Sequence, residues 1–231
     1  MPNWCKNFVD IEGDTEILMS LAEAVEQDMF CQAVIPVPIV LFCLDGAVPN
    51  KLKMETVNKR QELNNLLYGH RTANSFCRAM WNTKWDAEVD ADTIEFSGEN
   101  EEGISVLRFR FRTAWTPPTK VYEQLVDYGM KVKATYYEPL MDFAGVWENN
   151  TETYYEPSTE DRLFFTQNED GIILNKHYSI MSDDDIESGD SHYYSSDDSD
   201  SDSNSNDDTS NYDSDDHTYR SEASTVNDIE I

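Results

Sequence analysis

The chain has 231 residues and a net charge of −29, carried by 46 acidic and 17 basic residues. Seventeen of the acidic residues lie in the last fifty positions, 182–231, together with a single basic residue, Arg220. All five tryptophans, ten phenylalanines and eight methionines precede position 182, so only the first part has the apolar side chains for a core. A charge this negative repels nucleic acid at long range, and no apolar run reaches the ~18 residues of a membrane span.

The first half of the chain predicts a strand, a helix and a long insert. Residues 4–12, WCKNFVDIE, alternate between apolar and polar side chains, which is typical of a strand. Asp14 is a suitable N-cap for a following helix, whose apolar positions recur with a helical period. The proline-rich stretch 35–49 ends that helix, and residues 51–68 are predicted to be helical again. The segment 30–90 is therefore predicted to be an insert.

Three further strands and a helix follow the insert. TIEFS at 93–97 predicts a second strand, and ISVLRFRFRTAW at 104–115 predicts a third, in which apolar and basic residues alternate. The prolines of TPP start a helix, which Gly129 is placed to end. KVKATYYE predicts a fourth strand. Residues 143–178 are predicted to add another hairpin, in the segment LFFTQNEDGIILNKHY, with Asn-Glu-Asp-Gly as its turn.

The order of these elements predicts the fold class. Strand, helix, insert, strand, strand, helix, strand is the split βαβ arrangement. We therefore predict an α+β fold over residues 1–148, a ferredoxin-like sandwich with helices on one face of an antiparallel sheet and the insert at 30–90. Residues 149–181 are predicted to form an additional hairpin or extension. Residues 182–231 are predicted to be a disordered Asp/Ser-rich tail, because their hydrophobicity is low and their charge has one sign.

Four short motifs resemble a known family. The opening MPNWC, the segment WNTKWDA at 81–87, the later FRTAWTPP and the downstream YYEPLMDFAGVW resemble the YubB-type ferredoxin-like family of phage and plasmid proteins. The resemblance covers about residues 1–148, and the order and spacing of the motifs make it more specific than any one motif. It implies a small α+β domain encoded by a phage or mobile element, hence a location in the host cytoplasm. The resemblance implies no catalytic residue.

Cysteine and histidine usage argues against a metal site or a conventional active site. The chain has four cysteines, Cys5, Cys31, Cys43 and Cys77. They form no CxxC pair, and we predict buried free thiols in a reducing cytosol rather than a disulfide frame. His70 is the only histidine within residues 1–148, and no Walker loop, GxSxG or GxGxxG motif accompanies it. We therefore predict no metal, no cofactor and no enzymatic activity.

Four tryptophans have two interpretations. They would either form an aromatic pocket for a base or a peptide, or pack at a corner of the sheet, where each buries on the order of 200 Å². We favour the structural interpretation, in which Trp81 and Trp85 share a helical face while Lys84 and Asp86 form a salt bridge. The tryptophans concerned are Trp4, Trp81, Trp85 and Trp115.

A row of basic residues on the third and fourth strands is the most specific candidate binding site. It consists of Arg108, Arg110, Arg112, Lys131 and Lys133, which share a face because side chains alternate along a strand. The row would contact phosphate or nucleic acid, or it is a solvated face neutralised by carboxylates of neighbouring strands. We favour neutralisation. The expected partners are Asp10, Glu12 and Glu95.

The acidic tail supplies the main functional hypothesis. Dense carboxylates can imitate nucleic-acid phosphates and occupy a basic groove of a host protein, helped by tyrosines as stacking anchors. These anchors are Tyr193, Tyr194, Tyr212 and Tyr219. The tail would otherwise serve solubility alone or screen the chain's own arginines.

The predicted function follows from the tail and the missing catalytic motifs. We predict a non-enzymatic accessory protein that binds a basic host protein in host takeover or counter-defence. The alternative is nucleic-acid or nucleotide binding by the basic row.

Overall fold

The computed structural model describes residues 3–42 and 51–182, except for the side chains of 51–53, and these residues form a mixed α+β fold. Cys43 and almost all of the predicted tail, including its four tyrosine anchors, lie outside the described residues. None of the helices in this part of the chain combines the length and the apolar character that crossing a membrane requires.

Within the described residues, six strands form one antiparallel sheet. They are β1 (Trp4–Asp14), β2 (Glu88–Phe96), β3 (Ile104–Ala114), β4 (Lys131–Glu138), β5 (Phe143–Glu148) and β6 (Thr151–Tyr155). They lie side by side in the order β2-β3-β1-β4-β5-β6, and each neighbouring pair is antiparallel. All four predicted strands are present. Strand β2 begins at Glu88, earlier than predicted. The prediction missed its first residues, EVDAD, because they are too polar to show the apolar alternation of a strand.

The same part of the chain contains eight α-helices. They are α1 (Thr15–Val25), α2 (Phe30–Val34), α3 (Ile39–Phe42), α4 (Lys51–Tyr68), α5 (Ala73–Met80), α6 (Thr119–Asp127), α7 (Arg162–Gln167) and α8 (Glu169–Tyr178). The predicted helix at 51–68 is confirmed as α4, and helices α2 to α5 make up the described part of the insert.

Side-chain caps explain where two of these helices begin. Asp14 accepts hydrogen bonds from the backbone N–H groups of Glu16 and Ile17, so the predicted N-cap of α1 is confirmed. Thr72 and Ser75 form a capping box at the start of α5, which satisfies backbone donors that have no partner within the helix.

The two faces of the sheet are covered differently. We call the helix face the one on which α1, α2 and α6 pack; its strand residues, such as Val9 and Phe109, form the main core with these helices. The opposite face, here called the outer face, is covered over β4 and β5, where Leu174 of α8 packs against Ala144 and Val146. Helices thus lie on both faces, and not on one as predicted. Helix α8 thus covers only part of the outer face, and the basic row lies on this face, on β3 and β4.

Residues 143–178 do contain a hairpin, but its predicted position is wrong, because the segment LFFTQNEDGIILNKHY forms helices α7 and α8. The Asn168 side chain accepts hydrogen bonds from the backbone N–H groups of Asp170 and Gly171, which caps a helix instead of making a strand turn. A hairpin does follow β4, but it is formed earlier by β5 and β6. Its turn residues Asn149 and Asn150 both have positive φ, as a tight two-residue hairpin turn requires.

Candidate binding face

The predicted basic row lies on the outer face of the sheet. In the register of the sheet, Arg108 stands opposite Asp10 on β1 and opposite Glu95 on β2. Its Nε donates to Asp10 Oδ1 at 2.5 Å, and its Nη1 donates to Glu95 Oε2 at 3.3 Å. These bonds raise the pKa of Arg108, mainly through Asp10, so this guanidinium is already occupied by two carboxylates.

Other cations of the row are paired in the same way. Each contacts a carboxylate on a neighbouring strand: Lys131 with Glu12 at 2.6 Å, Lys133 with Glu148 at 3.6 Å, and Arg112 with Glu88. The expected partners Asp10, Glu12 and Glu95 are all found, joined by Glu88 and Glu148. Opposite charges on neighbouring strands attract. Most cations of the row are therefore neutralised by ion pairs, and the row is not a free basic stripe.

Arg110 is bound differently from the rest of the row. No carboxylate of the described residues lies within ion-pair distance of it; instead its Nη1 donates to the His177 carbonyl oxygen at 3.0 Å. That oxygen lies in the last turn of α8, where a cation is favourable because unpaired carbonyls make the helix end negative. The guanidinium also lies 5.5 Å from the centre of the Phe8 ring. Arg110 therefore helps to hold α8 against the sheet.

His177 completes this contact, and sequence reasoning missed it. Its ring centre lies 4.1 Å from that of Phe8, and its Nδ1 lies 2.8 Å from Thr135 Oγ1. Burial, reinforced by the positive charges of Arg110 and Lys176, lowers the pKa of His177 to about 4. The imidazole is therefore neutral at neutral pH.

The contact between Arg110 and His177 lies between two open grooves on the outer face. The first has a volume of about 540 Å³ and is lined partly by Lys6, Glu88, Asp90, Arg110 and Arg112. The second has a volume of about 630 Å³. Its charged lining residues are Asp10, Asp92, Glu95, Arg108, Arg110, Lys133 and Lys176. Both grooves present acids and bases side by side, which suits a ligand carrying both charges better than a polyphosphate.

The four tryptophans do not share one environment. Trp81 is buried and its Nε1 donates to the Ile35 carbonyl oxygen at 2.9 Å. Trp85 and Trp115 are each 45% exposed, so the predicted packing of all four in a corner holds for Trp81 but not for these two. The Trp4 ring lies 6.4 Å from Trp85.

The predicted geometry of WNTKWDA is wrong in two respects. Helix α5 ends at Met80 and Asn82 has a positive φ, so Trp81 and Trp85 do not share a helical face. Lys84 and Asp86 do not pair: the Lys84 ammonium lies 4.6 Å from the Trp85 ring centre.

Asp86 has a structural partner instead. Its two carboxylate oxygens accept hydrogen bonds from the backbone N–H groups of Cys31 and Gln32, at 2.7 and 2.9 Å. Asp86 therefore ties the WNTKWDA loop to the first turn of α2.

Three cysteines and one glutamate with catalytic potential are buried in the part of the chain that the structure describes. Cys5, Cys31 and Cys77 are buried, and burial raises the pKa of the Cys5 and Cys31 thiols, which disfavours the nucleophilic thiolate. The buried carboxylate of Glu138 accepts hydrogen bonds from the backbone N–H groups of Leu140 and Met141, in the turn after β4. The described residues hold no group of three or more His, Cys, Asp or Glu side chains that could bind a metal ion.

The sequence indicates some of the residues on this face that the prediction missed, but not all of them. Lys6 and Phe8 follow from the alternation of β1, because they share a face with Asp10. Nothing local indicated His177, since its segment was predicted as a strand and its contacts come from distant residues.

Comparisons with known proteins give one similar structure. No family model matches the chain, and no curated protein matches it. The chain is similar to the crystal structure of the protein api92 from Yersinia pseudotuberculosis, described with the family model DUF1281. The identity is 10% and the TM-score 0.34, over 67% of this chain and 98% of that one. Similarity at this level indicates neither a shared family nor a shared function.

Proposed function

We propose that this protein is a non-enzymatic accessory protein of a phage or mobile element that binds a basic host protein. In this proposal the acidic residues after position 182 imitate nucleic-acid phosphates and occupy the partner's basic surface. The observation that carries it is the pairing of the outer face, where Arg108, Arg112, Lys131 and Lys133 all contact carboxylates. The negative charge of the chain is thus not offset by a free basic row, and a cationic partner is favoured.

The ferredoxin-like assignment and the YubB-type family belong to the same proposal. The order β2-β3-β1-β4 with antiparallel neighbours, and helices α1 and α6 after β1 and β3, support a split βαβ core. Strands β5 and β6 and helices α7 and α8 are then additions to that core. The buried free thiols of Cys5 and Cys31 support a reducing compartment, in keeping with the host cytoplasm.

Direct nucleic-acid binding by the basic row is the alternative. Phosphate would have to displace a carboxylate from each paired cation, which counts against it. Arg110 and Lys6 favour it, because neither forms an ion pair with a carboxylate among the described residues. The alternative therefore predicts binding that depends on Arg110.

The test removes about half of the negative charge of the tail without shortening the chain. All nine aspartates between 197 and 216 are changed to asparagine, and the control changes the serines of the same stretch to asparagine, which keeps the charge. Each tagged full-length chain is purified from bacterial cells at low and high salt, and captured proteins are quantified by mass spectrometry. Duplex DNA is then added as a competitor.

The proposal expects basic, nucleic-acid-binding proteins to be captured by the native chain and the serine control, lost with the aspartate variant, and displaced by DNA. Unchanged capture by the aspartate variant would overturn it. Duplex DNA bound directly by the native chain and lost in Arg110→Glu would support the alternative.

A further inference from the structure

The first groove of the outer face contains a lysine without an ion-pair partner. In the register of the sheet, Lys6 stands opposite Arg112 on β3 and opposite Tyr137 on β4, so neither strand beside it offers a carboxylate. Among the described residues, no acidic group lies within ion-pair distance of the Lys6 ammonium. Lys6 is therefore an exception on a face where most strand cations are paired.

The same groove contains a carboxylate without a cation. Asp90 stands opposite Arg110 in the register of the sheet, but Arg110 donates to the His177 carbonyl oxygen instead. In the part of the chain that the structure describes, no basic side chain forms an ion pair with Asp90, which is exposed. The position of α8 thus leaves this carboxylate open to a ligand.

Two cations of this groove stand side by side. Lys6 and Arg112 face one another across β1 and β3, and like charges directly opposite one another destabilise a strand pair. Glu88 contacts Arg112, but a guanidinium has five N–H donors, so Arg112 can bind a second acceptor. Its Cζ lies 5.3 Å from the centre of the Trp4 ring, which favours the guanidinium in this position. An anionic group between Lys6 and Arg112 would offset their repulsion.

The arrangement of these charges favours a ligand that carries both signs. Asp90 lies one residue pair further along β2 than Glu88, and so is a diagonal neighbour of Arg112. Such neighbours are about 7–8 Å apart. A simple anion bound to Arg112 would meet Asp90, and the net charge of −29 would repel it at long range. A molecule with one carboxylate and one ammonium has no net charge and avoids both penalties.

We propose that the first groove binds a free α-amino acid with an uncharged side chain. Its carboxylate lies between Lys6 and Arg112, and its ammonium donates to Asp90. The volume of the groove, about 540 Å³, is within the usual range for small-molecule sites, about 300–1,000 Å³. This inference does not rest on the proposed function, because it uses neither the tail nor a protein partner.

The second groove supplies matched controls. Asp92 and Lys176 line it, and neither forms an ion pair within the described residues. Asp92 lies in the irregular part of β2, where the register with β3 shifts. Lys176 lies in the last turn of α8, whose unpaired carbonyls already favour a cation. We therefore expect the amino acid in the first groove and not in the second.

The test measures binding to the full native chain by isothermal titration calorimetry. The probes are glycine, L-alanine, L-leucine, L-glutamine and L-phenylalanine, at concentrations up to about 10 mM, which detects a millimolar Kd. At least one should bind. Asp90→Asn and Lys6→Gln should each weaken its binding about tenfold or more, because each removes a charge-assisted hydrogen bond. The controls Asp92→Asn and Lys176→Gln should leave the binding unchanged.

Analogues of the amino acid that binds test its two charges on the native chain. Its N-acetyl derivative lacks the ammonium and its amide lacks the carboxylate, so each should bind about tenfold more weakly or not at all. Inorganic phosphate, an anion without an ammonium, should not compete.

Four results would overturn the proposal. They are the absence of binding by every amino acid tested, equal losses in the control variants, an N-acetyl derivative that binds as tightly as the free amino acid, and competition by phosphate. The proposed function has a separate readout, capture of basic proteins by the tail, so the failure of one proposal is distinguishable from the failure of the other.

Discussion

At the scale of single residues, His177 joins a helix end to the outer face. Its ring packs on Phe8, its Nδ1 meets Thr135, and its carbonyl oxygen accepts from Arg110. Each contact suits a neutral ring beside a guanidinium. Protonation would place a positive charge in a poorly solvated position, and next to the charge of Arg110 as well, which is why the pKa of His177 is low.

We expect His177 to make folding stability depend on pH. Its folded-state pKa is about 4, against an ordinary value of 6.5, so between these values the unfolded chain binds a proton that the folded chain does not. Stability should therefore be fully present above pH 6.5 and fall as pH decreases, by about 1–2 kcal/mol near pH 5. Urea unfolding of native protein and His177→Gln between these pH values measures the difference.

A matched control for that experiment is His70→Gln, which removes the only histidine of the insert. It should retain the native pH dependence, whereas His177→Gln should flatten it. Parallel curves for native protein and His177→Gln would show that the ring titrates normally.

At the scale of elements, helices α7 and α8 approach one another closely at their junction. Asn168 caps α8 directly after α7, and Gly171 lies in the first turn of α8, close to α7. A Cβ on Gly171 would lie 2.1 Å from the Phe164 carbonyl oxygen, so the two helices approach more closely than any side chain permits. Leu174 and His177, further along α8, depend on that approach.

Gly171→Ala should therefore destabilise the protein, although alanine is the better helix former. We expect a loss of about 1–3 kcal/mol, because α8 must move away from α7 and from the outer face. Gly98→Ala is the control, since open space surrounds that glycine. Thermal unfolding compares the two, and stabilisation by Gly171→Ala would contradict the close approach.

At the scale of the whole molecule, two electrostatic effects oppose one another. The ion pairs of the outer face attract, but their partners are largely solvent-exposed, and such pairs contribute little. The excess of acidic residues gives the chain a net charge of −29. These carboxylates repel one another, which destabilises a compact state.

Added salt should thus stabilise this protein. Screening shortens the range of charge interactions to about 10 Å at 0.1 M salt and removes more repulsion than attraction. The midpoint of urea unfolding should rise with sodium chloride, and rise less in the variant with the nine tail aspartates neutralised. A midpoint that falls with salt would mean that the outer-face ion pairs dominate.

Features set by neighbouring residues could be read from the sequence itself. The alternation within WCKNFVDIE, IEFS, LRFRFR and KVKATYYE placed the basic row and its expected partners Asp10, Glu12 and Glu95 on one face, because side-chain direction in a strand has a fixed period of two. Asp14 was identifiable as a cap because its bonds reach only two and three residues along the chain.

Only the tertiary structure decided what local chemistry leaves open. Asn-Glu-Asp-Gly is suited both to a hairpin turn and to a helix cap, and the packing of Leu174 on Ala144 and Val146 selected the helix. The same holds for Asp86, which bonds to α2 instead of Lys84. In each case several arrangements satisfy the same short stretch, and burial against residues far away in the chain determines which one forms.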